Sequence, residues 1–172
     1  MNFAISMYRR LIRFGVYVAP IALLLIRLAW GWELAESGYG HLTHLKDTTE
    51  FFESLHIPMP HANAIISGTT ELVGGCLWMA GLGTRLISLP LFFNFCVAYA
   101  TASKEKLQVM FHDFPNHIDK VIDDSAFPFL VTSLILLAFG PGLFSLDAML
   151  KKLFFSKRQP VAAGTKAEDW MR

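Results

Sequence analysis

Two ionisable side chains fall deep inside long apolar stretches of this chain, Arg27 within Gly15–Ser37 and Glu71 within Ala64–Gly83, while Glu33 and Glu36 lie nearer the end of the first. A cation at mid-bilayer costs roughly 2.5–3.5 kcal/mol on insertion scales, so such residues turn into a helix bundle and find partners. Depth arithmetic names the partner here. If the first stretch runs outward from Gly15, Arg27 lies about 18 Å from its inner end, and if the second runs inward from Ala64, Glu71 lies about 10 Å below the outer surface. In a hydrocarbon core of about 30 Å both sit in the outer half, and an Arg27–Glu71 ion pair is expected. Such a pair fixes helix register, or it lines a polar pocket for a ligand head group or a proton. Trp30 and Trp78 would be the apolar walls of that pocket. Asn94 is the strongly polar group at the centre of the third stretch, suited to gluing helices together or to meeting a ligand. Glu33 lies nearer the outer interface and points to a different side of its helix from Arg27, as Glu36 also lies high. The ligand-binding candidates are therefore Arg27, Trp30, Glu33, Glu71, Trp78 and Asn94, and no pattern assigns a catalytic group.

All six histidines, His41, His44, His56, His61, His112 and His117, fall in the two acidic connections between stretches. His41 and His44 are three apart, which on a helix puts both on one face. With His112, Asp113 and His117 as a second half-site, His41, His44, His112 and His117 are the metal-ligating candidates, because imidazole suits Zn, Cu, Fe or Ni. No spacing here has the specificity of HExxH or of paired CxxC, and long exposed loops collect polar residues, so a loop surface without metal is the favoured expectation. A pH-responsive surface is the other use of such histidines. Cys76 and Cys96 form no CxxC pair and read as buried, unpaired structural thiols.

The elements that must hold these residues are four apolar stretches, Gly15–Ser37, Ala64–Gly83, Leu86–Ala102 and Ser125–Leu146, in a chain of 172 residues that is 53% hydrophobic. That exceeds the usual 45–50% or so of soluble domains although polar loops dilute it. Arg9, Arg10 and Arg13 precede the first stretch, Arg85 separates the second and third, and Lys151, Lys152, Lys157 and Arg158 follow the fourth. Cytoplasmic flanks retain Lys and Arg. The expectation is an all-α transmembrane four-helix bundle in a bacterial inner membrane, multi-pass, with both termini cytoplasmic and two long periplasmic loops. A net charge of +1 gives no electrostatic footprint for nucleic acid. The first stretch carries Arg27, Glu33 and Glu36 and lacks a small-x-small cleavage site, so it reads as a retained span rather than a signal peptide.

Residues 1–14 alternate Arg9, Arg10 and Arg13 with Leu11, Ile12 and Phe14, an amphipathic lead-in suited to the inner leaflet. Residues 15–150 make the transmembrane domain, and 151–172 a cytoplasmic tail with the composition of a disordered segment over 156–172. In the first long connection, Thr49–Leu55 is a short helix with an apolar stripe at Phe51, Phe52 and Leu55, lying on the bilayer or capping the bundle. Glycines 68, 74, 75, 81 and 83 let the second stretch approach a neighbour closely. Gly81–Arg85 is a tight turn, making the second and third stretches an antiparallel hairpin, and Gly140-Pro141-Gly142 breaks the fourth near its end.

Taken in order, Arg27 and Gly31, Gly38 with His41-Leu42, Phe51-Phe52, Ile57-Pro58, Glu71-Leu72-Val73-Gly74-Gly75, Gly81-Leu82-Gly83-Thr84-Arg85, Gly140-Pro141-Gly142 and Ser145-Leu146-Asp147 resemble the DoxX family of small four-span membrane proteins over roughly residues 24–150. His41 departs from the lysine that relatives often place before the leucine. The family includes the membrane subunit of a thiosulfate:quinone oxidoreductase and partners in redox-stress membrane complexes. The resemblance therefore implies a redox-associated membrane subunit that interacts with quinone. The chain itself has no haem-attachment motif, Fe–S cysteine set or dinucleotide fingerprint, so electrons would travel by quinone or by a partner protein. Two further readings compete: a non-catalytic anchor or assembly partner for a periplasmic or membrane redox protein, and a periplasmic metal-handling protein using the loop histidines. Membrane lipid is an expected partner throughout, and the glycine face of the second stretch would serve a homodimer or internal packing.

Overall fold

The computed structural model describes residues 2–104 and 122–155, and every regular element among them is helical. The helices are α1 (Asn2–Thr43), α2 (Leu45–Ser54), α3 (Pro60–Ala80), α4 (Thr84–Ala102), α5 (Ala126–Phe139) and α6 (Leu146–Phe155). Helix α1 has 42 residues. At about 1.5 Å per residue it is about 63 Å long, twice a hydrocarbon core of about 30 Å. It runs unbroken through the boundary expected at residue 14, carries Pro20 inside it, and continues past Ser37. Its side chains from Ile5 to Ala19 are all exposed, and burial begins further along, where α1 meets α3.

The short loop helix is present as α2, beginning at Leu45 rather than Thr49. Helix α3 opens with Pro60 in its first turn, where the missing N–H is not needed. It ends at Gly81 in the left-handed conformation (φ 68°). The turn through Gly83 leads directly into α4, as expected of a tight hairpin.

Helix α5 stops at Phe139, well short of the Leu146 expected for the fourth stretch. Gly140 adopts φ 77°, ψ −168°, a conformation open essentially only to glycine, and Pro141 offers no N–H to continue the ladder. At 14 residues α5 is about 21 Å long. The chain then turns and begins the separate helix α6, which carries the start of the expected tail. Among the described residues two helices, α1 and α4, are long and apolar enough to cross a membrane by length and composition. Helix α3 has 21 residues but interrupts its apolar run with Asn63, Ser67, Thr69, Thr70 and Glu71.

Leu34 of α1, Trp78 of α3, Leu91 and Phe95 of α4 and Leu136 of α5 form one buried cluster, with Leu23, Trp30 and Phe129 packed against it. The helices pair as α1 along α3 and α4 along α5. Close backbone approach sets the first pairing. A Cβ on Gly75 would lie 2.5 Å from the Gly31 carbonyl oxygen and 2.6 Å from Ala35 N, and one on Gly38 would collide with the backbone of Leu72. Small residues at such crossings allow the dispersion contacts that hold helices together where hydrophobicity gives no drive to associate.

Candidate functional site

The antiparallel register locked by these glycines places Ser37 opposite Glu71, and Arg27 opposite Gly81 at the far end of α3. Gly81 lies ten residues beyond Glu71, about 15 Å along the helix. The expected Arg27–Glu71 ion pair is therefore replaced by two separate polar centres. The depth arithmetic failed because it began α1 at Gly15 and matched distances from two assumed membrane surfaces. The paired glycines, Gly31 and Gly38 on one stretch and Gly68 and Gly75 on the other, carried the register in the sequence.

Arg27 is buried to 1% exposure. Its Nε donates to the Trp78 carbonyl at 2.7 Å and its Nη2 to the Met79 carbonyl at 3.0 Å. Its Nη1 donates to the carbonyls of Pro141 at 2.6 Å and Phe144 at 2.9 Å. Trp78 and Met79 are in the last turn of α3, whose carbonyls lack intrahelical partners and carry the negative end of the helix dipole. The guanidinium fork thus caps α3 and ties it to the link between α5 and α6. Asp147 completes the tie. Its carboxylate accepts from Gly83 N at 2.8 Å and Thr84 N at 3.2 Å, capping α4, while its own N–H donates to the Gly81 carbonyl at 3.0 Å.

Glu71 is surrounded by neutral donors. Ser37 Oγ donates to Oε2 at 3.1 Å, and Asn94 Nδ2 donates to Oε1 at 2.9 Å. Ser67 Oγ lies 3.1 Å from both Glu71 Oε1 and Asn94 Oδ1, and its one proton serves either of them at a time. His41 Nδ1 stands 3.3 Å from Oε2, close enough for an ion pair, though its angles are not those of a hydrogen bond. Glu71 and Asn94 are conspicuous in the sequence and Ser37 and Ser67 are not, while His41, a metal-ligating candidate by its spacing, stands beside Glu71. Ser67 was legible as the residue four before Glu71 on the same helical face.

This cluster forms one wall of a cavity of about 620 Å³. Phe93, Phe95 and Phe129 make an aromatic side, with the Phe95 and Phe129 rings stacked at 5.1 Å. Phe51 and Phe52 of α2 line it, with Leu55, Ile57 and Pro58 directly after the helix, so the apolar stripe of this segment caps the bundle. Thr101, Ser103, Asp124 and Ser125 line a polar rim. There Asp124 accepts from Ser103 Oγ at 2.5 Å and from Ala126 N at 2.9 Å at the start of α5. Asp124 and Ser103 had not been singled out in the sequence, where they sit at the edges of an undifferentiated acidic loop.

Of the ligand-binding candidates, Glu71 and Asn94 come together on this cavity. Arg27 does not line it. Trp30 lies behind its wall, edge-to-face against Phe129 at 5.6 Å. Trp78 is fully buried, its Nε1 donating to Ser88 Oγ at 3.0 Å, and Glu33 is exposed. His41 faces Glu71, whereas His44 is exposed, with Nδ1 3.2 Å from the Gly40 carbonyl oxygen. His112 and His117 lie outside the described residues. Among the described residues no three His, Cys, Asp or Glu side chains gather as a metal site. Cys96 is half-buried, but Cys76 is exposed on the outer flank of α3, against the expectation of a buried thiol.

The model of the DoxX family matches residues 22–104, a stretch that contains Arg27, Ser37, His41, Ser67, Glu71 and Asn94 and stops before α5. The Gly140-Pro141-Gly142 and Ser145-Leu146-Asp147 motifs fall beyond the match. No curated protein and no solved structure matches the chain. The match covers a little under half of the chain and is to the family that its motifs resemble.

Proposed function

We propose that the protein is an integral inner-membrane subunit that binds a quinone in the cavity beside Glu71. The observation that carries this reading is the combination of aromatic walls, provided by Phe93, Phe95 and Phe129, with one concentrated set of hydrogen-bonding groups, provided by Ser37, Ser67, Glu71 and Asn94. Ligand sites are mostly apolar with a few convergent polar groups. A quinone ring stacks on aromatic faces, and each of its carbonyls needs a donor. Asn94 Nδ2 and the two serine hydroxyls are such donors, at present given to Glu71. Reduction of a quinone also takes up protons, and Glu71 beside His41 is the group through which one would pass. The electrons would come from a redox partner at the outer end.

In this reading α1, α3 and α4 cross the bilayer and α5, at about 21 Å, crosses it together with the residues that flank it, with the Gly81–Arg85 turn and the Pro141–Ser145 link cytoplasmic. Arg85 packs over Gly140 and donates to the Ala138 carbonyl at 3.1 Å, so Arg85, Lys151 and Lys152 gather at one end, as positive-inside topology requires.

The test is titration of a quinone into the protein in lipid nanodiscs, read by quenching of tryptophan fluorescence. Ser67→Ala and Asn94→Leu should each weaken binding by about 3- to 10-fold, the worth of one hydrogen bond. Absent binding, or binding unchanged in both variants, would refute the reading.

A further inference from the structure

The cavity has an apolar flank as well as its polar rim. Ile66 of α3 and Phe93 and Val97 of α4 line it and are nevertheless exposed, Phe93 at 70%. Pro90 behaves in the same way. All four are apolar and flank the gap between α3 and α4. These two helices, although joined by a tight turn, pack far less along each other than α1 packs along α3. Near the turn the gap is closed by Trp78 bonding to Ser88, and on its inner side by Asn94 bonding to Glu71. What remains open is an apolar slot on the flank of α4, one of the two helices apolar and long enough to cross a membrane.

We infer that this slot is a lateral mouth into the lipid, and that it holds the alkyl or isoprenoid tail of an amphiphile whose polar head meets Glu71 and Asn94. The inference rests on the cavity being the quinone site proposed above, and it names the class of quinone: long-tailed and drawn from the bilayer. The polar rim is unsuited to a tail. It is lined by Thr101, Ser103, Asp124 and Ser125, and an alkyl chain laid there would lie against hydroxyl and carboxylate groups instead of Ile66, Phe93 and Val97. Tail and head therefore separate: the tail toward lipid between α3 and α4, and the head toward Glu71 and Asn94.

Two quinones with the same ring, one long-tailed and one tail-less, distinguish this from the site itself. Val97→Trp narrows the mouth at a side chain that carries none of the hydrogen bonds of the Glu71 cluster. The long-tailed quinone should lose about tenfold more affinity than the tail-less one, the worth of roughly two buried methylenes. Equal weakening of both overturns the mouth and leaves the site standing, as does no weakening of either. Failure of both quinones to bind the wild-type protein overturns the site and the mouth together. Wild-type protein gives a second readout that needs no variant. A quinone with a photoreactive diazirine on its tail should label the α3 and α4 peptides containing Ile66, Phe93 and Val97, and labelling confined to α2 or to the Asp124 segment overturns the inference.

Discussion

The separation of Arg27 from Glu71 has a measurable energetic signature. Arg27→Ala removes the donors of four hydrogen bonds, to the carbonyls of Trp78, Met79, Pro141 and Phe144. At roughly 0.6–1 kcal/mol net for each, the loss is about 2–4 kcal/mol. The Trp78 carbonyl keeps a bond from Gly81 N at 3.1 Å, which pulls the figure toward the lower half of that range. Arg27→Lys keeps the charge but not the planar fork, and a lysine cannot span carbonyls on both α3 and the α5–α6 link, so it should recover only part of the loss. Glu71→Gln disturbs a different set of partners, Ser37, Ser67 and Asn94. The two residues lie about 15 Å apart along α3 and share no partner, so the double variant should be additive to within about 0.5 kcal/mol. Reversible unfolding in mixed micelles of mild detergent and sodium dodecyl sulfate supplies all four corners of the cycle. A coupling of about 1.5 kcal/mol or more would mean that the side chains meet as an ion pair, and would refute the register derived from the glycine contacts.

Gly75→Val should be among the most damaging single changes in the domain, because its side chain would enter the backbone of Gly31 and Ala35; relative helix separation measured by spin labels on α1 and α3 should increase, and an unaltered distance would contradict the close approach. Asp147→Ala removes the cap on Gly83 and Thr84 and should cost about 1 kcal/mol in the same unfolding assay, with Asp147→Asn retaining part of it. A cost near zero would show that the α5–α6 link does not brace the α3–α4 turn.

Some of this architecture was legible in the residues because the signals were local. The Gly81–Gly83 turn, the helix carrying Phe51 and Phe52, and the break at Gly140-Pro141-Gly142 all follow from glycine conformations, proline chemistry or helical periodicity. Each needs only a few neighbouring residues to be read. Arg27 was recognised as buried because a cation in an apolar run has few alternatives. Its partners were not recognised, because carbonyl oxygens carry no signature in a sequence; any helix end can supply them. The length of α1 was misjudged for a related reason. Nothing between Asn2 and Thr43 stops a helix, and composition marks where lipid would end, not where hydrogen bonding does. The site was half-legible: Glu71 and Asn94 are conspicuous polar residues in apolar runs, whereas Ser37 and Ser67 are small, common and visible only once the register is known.

That the buried cation and the buried carboxylate are kept apart bears on what each can do. Paired, they would satisfy one another, and a ligand arriving at Glu71 would have to break an ion pair in a low-dielectric interior to be recognised. Arg27 is instead held by the end of α3 and by two carbonyls of the α5–α6 link, with the Asp147 carboxylate nearby. Glu71 is left with hydroxyl and amide donors, and with the His41 imidazole at 3.3 Å, an ion-pair partner only when it is protonated. Donors of this kind can be handed from the carboxylate to a carbonyl oxygen of an incoming ring, and the carboxylate is then free to take up a proton. A structural cation at one end of α3 and a hydrogen-bond cluster near the middle are the division that the proposed quinone site would require of this helix.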